Sequence, residues 1–143
     1  MANLIKTHDT LVACLTDEVL DSGRPAGGVF AIPLLHLYKN DFTPDVNTVI
    51  SDLVEADYTG YAAQTIVWAT PVVWDPPDAR ALGAPLIFVN VDILMSQNVY
   101  GWYLTRGVAP GDLLGVGRFD GAPLTLLPAG SLPLFPELLL RNF

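Results

Sequence analysis

Prolines and glycines recur along the whole chain and limit the length that any helix can reach. The 143 residues include twelve prolines and twelve glycines. Proline removes a backbone hydrogen-bond donor and breaks helix interiors, and glycine is a poor helix former. Because the apolar residues are scattered among these residues, no run of about 18 uninterrupted apolar residues remains to span a membrane as a helix. The spacing predicts short strands joined by turns.

Apolar segments between the turns predict five or six strands. They cover residues 30–38, 65–74, 86–95, 99–105 and 113–119, and two shorter pieces in the apolar C-terminal segment 124–143. Turns every ten or so residues are typical of an antiparallel β-sandwich or barrel. The sequence therefore predicts a mainly β domain over residues 29–143. Residues 1–28 form an N-terminal arm, in which residues 9–22 fit either a short helix or a short strand.

One segment after the first core strand has the spacing of a helix. Thr43 is placed to cap it, and Pro44 fits the first helical position. The apolar residues that follow lie at i, i+3, i+4, i+7 and i+8, and they are Val46, Val49, Ile50, Leu53 and Val54. We expect one short helix here, about three turns long.

The segment at residues 86–95 alternates along its length. The pattern predicts that one set of side chains faces the core and that the other faces away. The core-facing set is expected to be Ile87, Val89, Val91 and Ile93, and the outward set Phe88, Asn90 and Asp92.

The composition favours burial of apolar surface between copies of the protein. Apolar residues make up 51% of the chain and charged residues 15%, against a typical charged share of about 25%. The mean hydropathy is +0.40. Obligate interfaces are more apolar than ordinary surface, so we expect a homo-oligomer. A monomer with an unusually apolar composition is the alternative.

The charge balance argues against nucleic acid and anionic membranes as partners. The formal net charge is −8, and the seven basic residues are dispersed, whereas phosphate backbones are bound by clustered Lys and Arg.

A single cysteine, Cys14, excludes an internal disulfide. The first ten residues lack the pattern of a signal peptide, so we expect synthesis in the cytoplasm.

Residues able to bind metal or to act as nucleophiles are few. His8, His36 and Cys14 do not have the spacing of a zinc site. His36 falls on an apolar strand face, which is typical of a core or interface histidine, and Cys14 is expected to be a small buried side chain. We therefore predict no metal site, no cofactor and no catalytic residue.

Acidic residues and glycines also have ordinary structural interpretations. Asp52, Glu55 and Asp57 could converge in a hydrolase or calcium site, but a solvated polar face is the favoured interpretation. The pair Asp75 and Asp78 flanks two prolines, as in a turn. The glycines at 27–28, 115 and 117 lack the context of a phosphate loop, and those at 115 and 117 predict a bulge or close packing.

Aromatic residues in the predicted strands offer a further class of site. Aromatic rings can stack on a sugar, and they are equally expected in strand cores and protein interfaces. The residues concerned are Trp68, Trp74, Tyr100, Trp102 and Tyr103.

Four stretches of the chain resemble a family of small proteins encoded by tailed bacteriophages and prophages. They are residues 37–44 (LYKNDFTP), 51–62 (SDLVEADYTGYA), 99–105 (VYGWYLT) and 114–119 (LGVGRF), within a similarity of about 90 residues over 30–120. The resemblance implies a virion structural protein, made in the host cytoplasm and carried on the virion. A capsid decoration or cement protein suits its size.

The partners implied are copies of the protein itself and the major capsid protein or another virion protein. In this hypothesis an apolar group of C-terminal residues, together with one tryptophan, forms the interface: Leu132, Leu134, Phe135, Leu138, Leu139, Leu140 and Trp102. The alternatives are a tail- or fibre-associated module that binds a host glycan, and a carboxylate-based hydrolase.

Overall fold

The protein folds into antiparallel β-sheets. The computed structural model describes residues 4–5, 33–67, 73–75, 78–106 and 113–140. Every strand pairing within these ranges is antiparallel. The predicted mainly β fold is therefore confirmed. The strands are β1 (Leu4–Ile5), β2 (Pro33–Tyr38), β3 (Gln64–Thr65), β4 (Val73–Asp75), β5 (Asp78–Leu82), β6 (Leu86–Val89), β7 (Gln97–Val99), β8 (Gly101–Arg106), β9 (Leu113–Arg118), β10 (Leu124–Leu126), β11 (Ser131–Leu134) and β12 (Glu137–Leu140).

A five-stranded sheet forms the centre of the fold, in the order β1-β9-β8-β2-β3. β2 pairs with β8 along its whole length, from Pro33 opposite Arg106 to Tyr38 opposite Gly101. Leu4 pairs with Val116 at the edge, so the first residues of the predicted arm belong to this sheet. The rest of the arm, including the segment 9–22, lies outside the described residues.

The remaining strands pair in a second set. β6 pairs with β11, β7 with β10, and β5 with both β4 and β12. The C-terminal segment 124–143 therefore contributes three strands to its own domain. The main core lies between β6, β7, β10 and β11 on one side and the central sheet on the other. Its buried members are Leu35, Leu37, Ala56, Tyr58, Ile66, Leu86, Phe88, Val99 and Leu126.

A smaller cluster covers the other face of the central sheet. Tyr38, Tyr103 and Val116 project from β2, β8 and β9 and are buried. The segment between β2 and β3 crosses over them, and it contributes Leu53 and Phe42 to the cluster. The long connection after β2 therefore acts as a lid on one side of the sheet.

The predicted three-turn helix in this connection is wrong. The only helical residues there form a single 3-10 turn, Ile50–Asp52. The predicted apolar face is only partly buried: Leu53 is buried, but Val46 is 73% exposed, and the polar Thr48 is buried.

Side chains in this connection bind the backbone groups that a helix would need. Asp45 Oδ1 accepts a hydrogen bond from the Asn47 N–H at 2.8 Å, and Asp52 Oδ2 accepts one from the Val49 N–H at 2.9 Å. Such local bonds compete with helix formation, and β-branched residues such as Val46 and Val49 lose side-chain freedom in a helix.

The end of the connection pairs with β2. The Lys39 N–H donates to Val54 O at 2.8 Å, and the Ala56 N–H donates to Leu37 O at 2.9 Å. These bonds hold residues 54–56 extended along the edge of β2. Tertiary pairing thus overrides a pattern that fits a helix.

The orientation predicted for residues 86–95 is also wrong. Only Leu86–Val89 form a strand. Phe88 and Asn90 are buried, and Ile87 and Val89 are exposed. Apolar residues occupy both the odd and the even positions of this segment. The predicted choice of the core face therefore places Asn90 and Asp92 on the outside. Because Asn90 is satisfied inside the protein, the assignment inverts.

Two tyrosines near β2 give a matched test of buried hydroxyl groups. The Tyr61 hydroxyl accepts from the Leu37 N–H at 3.0 Å and donates to Glu55 at 2.9 Å. The buried Tyr58 hydroxyl has no hydrogen-bond partner among the described residues. We expect Tyr61→Phe to lower the free energy of unfolding by about 1–3 kcal/mol and Tyr58→Phe to leave it unchanged or raise it slightly, by up to about 1 kcal/mol. Urea denaturation of both variants measures this. Equal losses would contradict the assignment.

Candidate interaction surface

The outer face of the β6–β11 strand pair presents exposed apolar side chains. On β6, Leu86 and Phe88 face the core, so Ile87 and Val89 point outward. Pro133 lies opposite Ile87 in the register. Phe135, just after β11, is 72% exposed. This face of the strand pair therefore presents apolar side chains to solvent.

The loop after β6 extends this face. Ile93 is 78% exposed, Leu94 80% and Met95 67%. We use the term apolar surface for the large exposed side chains of the strand pair, of this loop and of the neighbouring turn: Ile87, Val89, Val91, Ile93, Leu94, Met95, Leu127 and Phe135.

Asn90 holds this loop from inside the protein. Its side chain is completely buried. Its Nδ2 donates to Met95 O at 2.8 Å and lies 3.3 Å from Leu127 O. Its Oδ1 accepts from the Asp92 N–H at 3.0 Å. One buried amide therefore ties both ends of the loop to the turn that follows β10.

Asp92 fixes the tip of the loop. Its Oδ1 accepts hydrogen bonds from the N–H groups of Leu94 at 2.8 Å and Met95 at 2.9 Å. Its backbone carbonyl accepts from the Ala129 N–H at 2.8 Å. The bonds from the two loop N–H groups hold the pKa of the Asp92 carboxyl below its usual value. Hydrogen bonds to Asp92 therefore hold the apolar tip of the loop in place.

The lowered pKa of Asp92 predicts a pH-dependent contribution to stability. Since the folded-state pKa lies below the unfolded one, the contribution is present above the unfolded value of about 3.9 and is lost as pH falls through the folded value. We expect Asp92→Asn to be less stable than the wild type at pH 7. This difference should shrink at acid pH, below the unfolded value of about 3.9. Urea midpoints at both pH values test this, and a pH-independent difference would contradict it.

The size of the apolar surface indicates binding. Its eight side chains expose on the order of 900 Å² in total, whereas the largest apolar patch on a typical monomer is about 300–600 Å². Patches above this size mark interaction sites. Because the loop is held by hydrogen bonds, binding would require little ordering of the tip.

His36 belongs to a hydrogen-bonded cluster on the lid side of the central sheet. Its Nδ1 lies 2.7 Å from Glu55 Oε1, and its Nε2 lies 2.9 Å from Thr105 Oγ1. Its ring stacks on Tyr103 with centroids 4.6 Å apart. Burial, and Glu55 beside them, raise the pKa of the Tyr61 and Tyr103 hydroxyls.

This cluster has the order of groups found in a carboxylate–histidine–hydroxyl triad, but its hydroxyl is enclosed. Thr105 is only 4% exposed, so a substrate could not reach it without a change in the fold. The arrangement instead joins Glu55, in the returning segment, to β2 and β8. It gives His36 two partners, as expected of a core histidine.

The three acidic residues considered as a site have separate partners. Asp52 binds the local backbone, and Glu55 binds His36 and Tyr61. Asp57 binds Lys39 Nζ at 2.5 Å and Gln97 Nε2 at 2.6 Å, and these bonds lower its pKa. Within the described ranges, His, Cys, Asp and Glu do not group in threes as a metal site requires. His8, Cys14 and the glycines at 27–28 lie outside those ranges.

The turn at Asp75 and Asp78 and the two glycines of β9 lie where their sequence context indicated. Asp75 and Asp78 are paired across the end of the β4–β5 hairpin. Gly115 and Gly117 lie opposite Leu104 and Trp102 on β9, and the register shifts next to this site. The register shift agrees with the bulge that was one of the two predicted explanations for these glycines.

The aromatic residues whose side chains are described do not form one platform. Trp102 packs on the main core, whereas Tyr100 and Tyr103 pack on the cluster at the other face of the sheet. A single sugar therefore cannot stack on all three. The Trp68 residue and the side chain of Trp74 lie outside the described part of the chain.

The C-terminal residues predicted as an interface divide between the core and the surface. Leu132 and Leu134 are half-buried and pack on the main core, as does Trp102. Phe135 belongs to the apolar surface. The backbones of Leu138, Leu139 and Leu140 pair with β5, and their side chains are outside the described set.

Two residues that organise the surface, Asn90 and Asp92, were not identified from the sequence. An Asn-x-Asp spacing directly after a short apolar strand is typical of side-chain-bonded turns, and it is the signal that could have found them.

Comparison with protein-family models, curated proteins and solved structures gives no match for this chain. In the part of the chain that the structure describes, no helix has the length and apolarity to cross a membrane.

Proposed function

We propose that this protein is a structural component of a tailed-bacteriophage virion. Its role is that of a decoration or cement protein, which stabilises the capsid shell through many copies of an apolar contact. The observation that carries the proposal is the apolar surface, in which eight large side chains are held in water by a strand pair and a hydrogen-bonded loop.

The use of polar groups within the domain supports a binding role. The His36, Glu55 and Thr105 side chains bind one another, and the Asn90 amide binds the loop. These groups serve the fold, and the large exposed feature is apolar. Apolar surface of this extent is typical of proteins that associate.

The stabilisation would act by mass action. A protein that binds the assembled shell, and not its separated subunits, shifts the equilibrium towards the assembled state. Its partners are copies of itself and the major capsid protein or another virion protein. Many weak contacts on a repeating lattice add to a strong total attachment.

The test is the composition of purified particles. Particles of the phage or induced prophage that encodes the chain are purified on a density gradient and analysed by quantitative mass spectrometry. We expect the protein in a fixed ratio to the major capsid protein. Particles from a strain with the gene deleted should release DNA at a lower temperature. Absence of the protein from DNA-filled particles would contradict the proposal.

A further inference from the structure

We infer that the apolar surface is covered by the same surface of a second copy of this chain, in a closed dimer with two-fold symmetry. This inference rests on the proposed function only in that both assign the apolar surface to association. It assigns this surface to a second copy, one of the two partners proposed above, and it leaves attachment to the shell to other surfaces of the dimer.

The area of the surface fits a dimer contact. A stable protein–protein interface buries about 800 Å² on each partner, and the apolar surface exposes on the order of 900 Å². A two-fold contact needs one self-complementary patch on each subunit. The flat outer face of β6 and β11 can meet its own copy as two sheets pack in a sandwich.

The distribution of charge also favours a second copy. The chain carries a net charge of −8, yet all eight residues of the apolar surface are uncharged. Within residues 86–95 the only charged side chain is Asp92, and its carboxylate already accepts hydrogen bonds from the Leu94 and Met95 N–H groups. Two acidic molecules can therefore meet here with little burial of unpartnered charge. Their overall repulsion is screened by salt, so the dimer should tighten as salt rises. A basic partner would show the opposite dependence.

Pro133 directs the contact to the face of the strand pair. Pro133 lies within β11, which in the described ranges pairs only with β6. A proline contributes no N–H to a sheet edge and so blocks the addition of a further strand. A two-fold contact between two copies of the same face uses up that face on both molecules, so it closes after two copies.

The test is the mass of the full-length protein by light scattering and sedimentation over a dilution series at low and high salt. We expect twice the chain mass of 15.4 kDa. The dissociation constant of the dimer should be at least about tenfold lower at 0.5 M than at 0.05 M NaCl. Phe135→Glu and, separately, Leu94→Glu should each raise the dissociation constant at least about 100-fold.

Val46→Glu is the matched control. Val46 is as exposed as Phe135, but it lies on the lid at the other side of the central sheet. The Val46→Glu variant should dimerise like the wild type. Far-UV circular dichroism checks that each variant is folded. A monomer at all concentrations, a larger or open-ended assembly, or equal weakening by all three substitutions would overturn the inference.

The outcomes separate this inference from the proposed function. A monomeric protein that is present in purified particles would overturn the dimer and leave the virion role standing. A dimer in solution that is absent from particles would do the reverse.

Discussion

Replacing Gly101 by alanine is expected to lower the free energy of unfolding by at least about 4 kcal/mol, a large part of the 5–15 kcal/mol typical of a domain. Gly101 begins β8, between β2 and β9. A Cβ atom at this position would lie 2.1 Å from Gly117 O and 2.5 Å from the Cε1 and hydroxyl oxygen of Tyr38. No methyl group fits at these distances.

The neighbours of Gly101 cannot easily move aside. Gly117 O belongs to the backbone of β9, which is paired with β8. The Tyr38 side chain is completely buried, and its hydroxyl donates to Phe42 O at 3.3 Å. Burial raises the pKa of Tyr38 to about 12. Relief of the clash would therefore open either a strand pairing or the smaller core cluster.

Gly121→Ala is the control for this prediction. Gly121 has a φ of +73°, and a Cβ atom there would meet nothing within 4 Å. Its substitution should cost only the conformational strain, about 1–2 kcal/mol. Denaturant titration, or the fraction of soluble folded protein if Gly101→Ala does not fold, measures the difference. Similar losses for the two variants would contradict the packing described here.

Replacing Asn90 by leucine is expected to lower the free energy of unfolding by about 3–5 kcal/mol. Leucine has a similar size but cannot make the bonds of the amide. The Met95 carbonyl would lose the amide donor, and the Asp92 N–H would lose its acceptor. The Leu127 carbonyl would keep only its bond from the Gly130 N–H. Buried polar groups left without partners are costly to the folded state.

Asn98→Ala is the matched control for Asn90. Asn98 is exposed, and its side-chain oxygen accepts one hydrogen bond from the Thr125 hydroxyl at 2.8 Å. Its loss should cost less than about 1 kcal/mol. Amide hydrogen exchange gives a second readout, since protection at residues 91–95 should fall in Asn90→Leu and stay unchanged in Asn98→Ala. An Asn90→Leu variant as stable as the control would contradict the scaffold role.

The features predicted correctly are those set by local chemistry. The strand at residues 113–119 and the glycines opposite Trp102 and Leu104 follow from a strand that must leave room for large side chains across the pair. The mainly β class follows from the spacing of proline and glycine. These constraints act within a few residues, so the sequence displays them directly.

The features predicted wrongly depend on distant partners. The spacing from Val46 to Val54 fits a helix, but residues 54–56 pair with β2, more than a dozen residues earlier. The alternation at residues 86–95 predicts the outward face of β6 as the core face, whereas Asn90 is buried. Its acceptors lie at Leu126 and Leu127, which no local pattern indicates.

The pairing of β2 with β8, the middle strand of the central sheet, has a consequence for how the chain reaches its native state. His36 on β2 and Thr105 on β8 touch although they are 69 residues apart in sequence. On a ribosome adding about 5–20 residues per second, β2 waits several seconds for this neighbour. Contacts between distant residues also slow refolding, to milliseconds or longer. The nascent chain thus exposes its future core longest where the finished domain is most tightly packed.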